Sequence, residues 1–322
     1  MMATSKKFDP SGVIPATLLA FDDDYAIDEA ASRRHLAHVA ATPGVTAITV
    51  NAHASEAASC SYDEQRRVLD FTMDEIGARV PVVNGIYADG SHLGAELARM
   101  AAAGGASALL VFPPNTLIAG GQLRPEMAVA HFKTIAEAAD LPLIVFEYPL
   151  GGGQGHTFET LLRLFEEVPS IVAIKDWCND AMLHEKHIRT FQSLPRPVSV
   201  LSTHSSWLMS SLVMGARGLL SGAGSVIADL QVALFEAVQA KDLARAQAVN
   251  DRIFPMAQAF YRPPFLDMHN RMKECLVLLG RLPRAVVRPP LVKLPQAEIE
   301  ALGRALADAG IGPEGAARQA AE

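Results

Sequence analysis

Short runs rich in Val, Ile and Leu alternate with longer Ala-rich amphipathic stretches as far as about residue 240, the pattern of repeated strand–helix units. The apolar runs are Gly12 to Phe21, Thr46 to Ala52, Val80 to Tyr87, Ala106 to Phe112, Pro142 to Tyr148, Ile171 to Trp177, Val198 to Thr203 and Gly218 to Gly222. Helical spacing follows them over Asp28 to Ala41, Tyr62 to Ile76, Gly94 to Ala103, Pro125 to Ala139, Thr157 to Glu167, Ala181 to Ser193, Trp207 to Met214 and Asp229 to Ala240. Ser61, Ser91, Pro125 and Thr157 supply the polar or proline starts that helices favour.

Strands this uniformly apolar, each followed by a helix, imply a parallel sheet covered by helices. Eight such units predict the α/β class and a closed (β/α)8 TIM barrel over 1–240. A doubly wound open sheet fits less well, because the first strand runs into Phe21-Asp22-Asp23-Asp24 instead of a glycine-rich turn. Beyond Lys241 the pattern is helical only, with Ala244 to Phe260, Phe265 to Gly280 and Ala297 to Ala309 separated by prolines. Residues 241–322 are therefore expected to form a C-terminal helical region packed on the barrel. The tail from Gly310 is expected to fray.

Half of the 322 residues are hydrophobic and 20% are charged, enough apolar surface for a large core. The net charge is -7 and the Lys and Arg residues are scattered, so no footprint for nucleic acid is present. The first residues lack the apolar stretch of a leader, and no run reaches the roughly 18 apolar residues of a membrane span. These features point to a cytoplasmic protein with a small-molecule partner. Cys60, Cys178 and Cys275 are odd in number and widely spaced, which fits reduced thiols and neither a disulfide frame nor a zinc cluster.

In barrels of this class the reactive side chains come from the C-terminal ends of strands. Those ends carry Asn51, His53, Ser55, Glu56, Asn84, Tyr87, Glu147, Tyr148, Lys175, Asp176, Thr203, His204, Ser221 and Ser225. Lys175 stands apart because it closes Ile-Val-Ala-Ile-Lys, where an unpaired ammonium is costly to bury. Burial lowers the pKa of an amine, and the neutral amine attacks carbonyls to give an imine that withdraws electrons from the neighbouring carbon. The residues alone leave a second reading open, a lysine paired with Glu147 or Asp176.

The chain resembles the dihydrodipicolinate synthase and N-acetylneuraminate lyase family of class I aldolases. The resemblance runs from Gly12-Val13-Ile14-Pro15-Ala16 through Pro81-Val82-Val83-Asn84-Gly85 and Ala173-Ile174-Lys175 to Arg288-Pro289-Pro290-Leu291. Met272-Lys273-Glu274-Cys275-Leu276 with Leu279-Gly280 is similar to the family's C-terminal helix signature. This likeness implies the barrel, a Schiff-base role for Lys175, no external cofactor, and a homotetramer or homodimer.

Several positions depart from that family pattern. Where members carry Gly-Thr-Thr-Gly-Glu, binding a carboxylate and relaying protons, this chain has Ala52-His53-Ala54-Ser55-Glu56. The family's Tyr-Asn-x-Pro is matched by Phe146-Glu147-Tyr148-Pro149, so the acid/base position holds Phe146, which has no proton to give. The arginine expected in Leu150 to Gly153 is absent, and Phe112-Pro113-Pro114-Asn115 replaces the paired tyrosines. His53 and Tyr148 are the expected replacements for the relay, since imidazole titrates near neutrality and Tyr148 shares a strand face with Phe146. Ser55, Glu56, Glu147, Ser221 and Gly222, at the same rim, are the expected substrate-binding residues.

Weaker signals remain. Gly151-Gly152-Gly153-Gln154-Gly155 lacks the Lys-Ser/Thr of a phosphate loop and reads as mobility or room for substrate. Gly222-Ala223-Gly224-Ser225 sits where barrels often bind phosphate or carboxylate. A divalent metal held by His53, Glu56, Glu147, Asp176 and His204 is an alternative, but the spacing is no known ligand signature, and no metal is expected. The expected function is a Schiff-base lyase, aldolase or dehydratase, acting on a 2-oxo acid or related carbonyl compound through Lys175. The alternatives are a dihydrodipicolinate synthase-like condensation and a catalytically silent ligand-binding barrel.

Overall fold

The computed structural model describes residues 8–312. The reading of the first seven residues, and most of the tail beyond Gly310, falls outside them.

Eight parallel strands and the helices between them follow the predicted order. They are β1 (Gly12–Pro15), β2 (Ile48–Val50), β3 (Val82–Ile86), β4 (Ala108–Val111), β5 (Leu143–Glu147), β6 (Ile171–Asp176), β7 (Ser199–Ser202) and β8 (Gly218–Ser221). The sheet order is β1-β8-β7-β6-β5-β4-β3-β2. Parallel bridges from Val13 to Val45 and from Ala16 to Thr49 close the ring. The result is a (β/α)8 TIM barrel.

The helices on its outside are α1 (Glu29–Ala40), α2 (Tyr62–Ile76), α3 (Ser91–Ala103), α4 (Pro125–Ala138), α5 (Phe158–Glu167), α6 (Ala181–Phe191), α7 (Leu208–Val213) and α8 (Gly224–Gln239). Local chemistry explains their starts. Ser61 and Glu64 form a reciprocal capping box on α2, at 3.2 and 2.8 Å, and Thr157 accepts from the Thr160 amide at the start of α5. Ser91, expected as a cap, is the first residue of α3 instead, with its hydroxyl 3.0 Å from His131 Nδ1.

Two of the boundaries that moved have a local cause. The first apolar run leaves the sheet after Pro15, and the backbone beyond it is held by side chains, Leu18 N–H by Ser225 Oγ at 3.0 Å and Ala20 N–H by Ser32 Oγ at 3.2 Å. Once those donors are satisfied, an apolar stretch needs no strand partner. Helix α8 begins at Gly224, not Asp229, with a kink at Ile227. A Cβ at Gly224 would lie 2.7 Å from Gln231 Oε1 and 3.1 Å from Pro15, so only glycine lets the chain turn there.

Two apolar layers show which way each strand residue faces. Ile14, Val83, Leu110, Ile144, Phe146 and Leu201 belong to the cluster filling the barrel. Their strand neighbours, such as Val145, Ile174 and Val200, belong to the layer between sheet and helices. After Lys241 come α9 (Leu243–Tyr261), α10 (Met268–Leu278) and α11 (Gln296–Asp308). They share one core with α8 and with Val13 and Leu219 of the barrel, which brings the α9–α10 connection over the strands' C-terminal ends.

Candidate active site

A cavity of about 270 Å3 opens at the C-terminal end of the barrel. Lys175 reaches it from β6, two residues past the inward-facing Ala173 and therefore on the same side of the strand. It is 4% exposed, and among the described residues its amine has no hydrogen bond and no ion pair. The group nearest in kind to a partner is the Phe146 ring, paired in register on β5, whose centre lies 3.8 Å from Nζ. Burial with no counter-charge pushes the amine down to about 7. The neutral form, which can act as a nucleophile, is therefore far more accessible near pH 7 than for a solvated lysine.

The alternative pairing of Lys175 with Glu147 or Asp176 is overturned. Glu147 and Asp176 lie opposite each other in the same ladder, one step along from Phe146 and Lys175, so their side chains face the helices. Glu147 accepts from the His156 amide at 2.9 Å and from its ring at 3.0 Å, and burial raises its pKa against that help. Asp176 Oδ2 accepts from His184 Nδ1 and His187 Nδ1, both at 2.8 Å, while Oδ1 accepts from the Cys178 amide at 2.9 Å. Burial opposes ionisation of Asp176, but the two histidines outweigh it and hold the carboxyl well below the usual range.

The loop after β2 delivers His53 to the cavity wall. Asn51 and Glu56, on either side, adopt positive φ angles of 51° and 54°, a conformation that side chains rarely take. Their bonds hold the loop in that shape. Asn51 Nδ2 donates to Gln65 O at 2.7 Å and to Asn84 Oδ1 at 2.9 Å. Glu56 pairs with the buried Lys273 and accepts from the Arg288 amide at 3.2 Å. His53 packs edge-on against His269 at 4.7 Å, and burial together with the Lys175 charge pushes it down to about 4. His269 is held well below the usual imidazole range by burial and by His53, Lys273 and Lys175. Both imidazoles are therefore neutral at pH 7.

Of the residues expected as catalytic or substrate-binding, only Gly222 lines this cavity with Lys175 and His53, joined by Thr203 and His204 from the other strand-end positions. Tyr148 sits behind the wall, its ring 4.5 Å from Phe146 and 5.4 Å from Trp177. Ser55 is spent on the Thr17 carbonyl at 2.8 Å, Glu56 on Lys273, and Glu147 on His156. Ser221 Oγ lies 3.1 Å from Ser205 Oγ and also bonds the Tyr261 hydroxyl. Ser225 Oγ is committed to Leu18 and to His35 Nε2 at 2.7 Å, so the stretch 222–225 has no free hydroxyl there for an anion. Of the glycines after β5, Gly155 answers to packing, because a Cβ there would lie 2.2 Å from the Tyr148 carbonyl, whereas Gly151 and Gly152 face open space.

The five residues considered for a metal do not converge. The described residues instead bring Asp176, Cys178, His184 and His204 together, their donor atoms within 4.8 Å of one another. Hydrogen bonds already connect this group, with His204 Nε2 accepting the Asn179 amide at 3.1 Å. The sequence pattern missed Tyr261, Phe265, Met268 and His269, which enter the cavity from the C-terminal helices. Their only signal was position after the barrel, where no strand rule applies.

Fold and cavity together define a barrel with a buried lysine at the end of its sixth strand. Residues 9–309 match the Dihydrodipicolinate synthetase family, and the chain belongs to that family. A 4-hydroxy-tetrahydrodipicolinate synthase of Methanopyrus kandleri is 28% identical over 96% of this chain and 99% of its own. A protein described as an uncharacterized DapA-like lyase of Halobacterium salinarum is 29% identical over 93% and 94%. In structure, a prophage protein of the dihydrodipicolinic acid synthase family from E. coli K12, solved in complex with pyruvate, superposes with a TM-score of 0.86 at 22% identity. That match covers 94% of this chain and 99% of the other. No helix among the described residues is long and apolar enough to cross a membrane.

Proposed function

We propose that this protein is a Schiff-base-forming lyase that acts on a 2-oxo acid or related carbonyl compound through Lys175. The observation that carries the reading is an amine enclosed at the barrel mouth, without a counter-ion among the described residues and lowered to about 7. The neutral amine adds to the substrate carbonyl, and loss of water gives a protonated imine. The imine then accepts the electron pair released when a bond at the neighbouring carbon breaks, and water finally returns the free lysine.

His53 is the proton carrier in this reading. It is neutral at pH 7, lies on the cavity wall with Lys175, and is backed by His269. Tyr148 is placed as a neighbour of Phe146, its hydroxyl kept protonated by burial. Gly222 leaves room for substrate, and no cofactor is needed. A homodimer or homotetramer accords with the exposed Ile118, Leu123 and Leu150 on adjoining loops after β4 and β5.

The relatives named as synthases run a condensation, the reverse sense of the same imine chemistry, while the loss of the family relay favours a different substrate. Borohydride reduction with pyruvate, followed by intact-mass measurement, tests the reading. An adduct on the wild type that is missing from Lys175→Ala is expected; no adduct with pyruvate or longer 2-oxo acids would return the protein to the silent-barrel reading.

A further inference from the structure

The cavity lining combines two kinds of side chain. Thr203, Ser206 and Asn179 carry hydroxyl and amide groups that suit a carboxylate or keto group, while Ser205 is bonded to Ser221 and to the Tyr261 hydroxyl. Much of the remaining lining is aromatic. Trp177 stacks on Phe265 at 5.0 Å and 14°, and Phe265 on Tyr261 at 5.7 Å and 28°. These rings run from the end of β6 to the connection between α9 and α10, with Met268 and Met272 beside them. Apart from Lys175, the lining contains no Arg, Lys, Asp or Glu.

This composition discriminates between substrates. A polyhydroxylated chain loses hydration in such a site and finds few partners on the aromatic rings, so its unpaired hydroxyls disfavour binding. A second carboxylate or ammonium would meet no opposite charge. A flat apolar group gains area and ring contact instead. The same preference extends outside the cavity, since Phe265 is 36% and Leu266 59% exposed at the mouth, between the exposed Pro263 and Pro264 and the cavity-lining Met268.

Resting on the Schiff-base reading, we propose that the carbonyl compound released or taken up beside the lysine-bound pyruvate unit is an aryl aldehyde. In the cleavage direction, a 4-aryl-4-hydroxy-2-oxobutanoate forms the imine with Lys175 and loses water. The bond between C3 and C4 breaks, its electrons pass into the iminium to give the enamine, and the C4 hydroxyl proton goes to His53. The aryl aldehyde leaves, the enamine takes a proton at C3, and hydrolysis frees pyruvate. One oxo acid thus gives pyruvate and one aldehyde, with water consumed and returned and no redox partner.

Three probes with a common pyruvate readout test the inference: 4-hydroxy-2-oxo-4-phenylbutanoate, 4-hydroxy-2-oxopentanoate and 4,5,6-trihydroxy-2-oxohexanoate. The phenyl compound is expected to have the highest kcat/KM, by about tenfold or more. Phe265→Ser, its folding checked by thermal melting against the wild type, is expected to reduce the phenyl-to-methyl ratio by roughly fivefold or more. A methyl or trihydroxy compound turned over as well as the phenyl one overturns the inference, as does an unchanged ratio in Phe265→Ser. Borohydride trapping with pyruvate separates the two levels. An adduct on Lys175 without phenyl preference sinks the substrate class and leaves the imine standing, whereas no adduct sinks both.

Discussion

Lys175 and Asp176 are adjacent, both almost fully buried and both ionisable, and the barrel treats them in opposite ways. Asp176 faces the helices and receives three donors, so it stays charged and ties β6 to α6. Lys175 faces the lumen with an aromatic ring for company, so its charge is suppressed. A buried charge that is partnered adds to structure, while one that is left unpartnered becomes reactive. The pleat of a single strand separates the two roles.

The largest way to break this contrast is at the amine. Lys175→Ala is expected to abolish the borohydride adduct and to lower any turnover by at least about a thousandfold, measured with the best 2-oxo acid found. Next comes the carboxylate. Asp176→Asn retains the shape but leaves His184 and His187 with a weaker acceptor in a buried site, which is expected to destabilise the fold by about 2–4 kcal/mol in urea titration. A variant of wild-type stability would mean that the two imidazole contacts contribute nothing.

Stability should move the other way at Lys175. Its folded pKa of about 7 lies below the unfolded 10.5, so the unfolded chain binds the extra proton more readily across that window. Wild-type stability from this group therefore rises as pH increases from about 7 to 10.5, and the burden is complete below 7. Lys175→Met is expected to stabilise the protein by on the order of 1–3 kcal/mol at pH 7, with the gain vanishing above pH 10.5. Thermal unfolding at pH 6, 7.5 and 9 checks the sign.

The smallest effect sharpens the comparison without a mutation. The rate of pyruvate adduct formation is expected to rise through a half-point near pH 7 and then level off, because only the neutral amine attacks. A half-point near 10 in stopped-time mass measurements would show an ordinary, solvated lysine.

How much of this was legible beforehand differs by element. The eight units and Lys175 were readable because strand periodicity and one ionisable residue in an apolar run are local signals. The direction of Lys175 was not, since a pairing with Glu147 or Asp176 stayed open until the barrel showed Ala173, two residues earlier, facing inward. Nor were the partners. Glu56 meets Lys273 across 217 positions of sequence, and that ion pair removed it from the cavity. Likewise, Ser225 was absorbed by Leu18 and His35, contacts that no spacing announces.

The sequence by itself determined the strand–helix alternation, the barrel class and the position of Lys175 as the candidate nucleophile, since each follows from short-range pattern and the energy of burying apolar and charged side chains. Only the tertiary structure decided which polar residues stay free, and that Tyr261, Phe265 and His269 face Lys175. Those outcomes depend on where the C-terminal helices cross the barrel mouth, and on hydrogen bonds between residues far apart in the chain, which exist only once the ring of strands has closed.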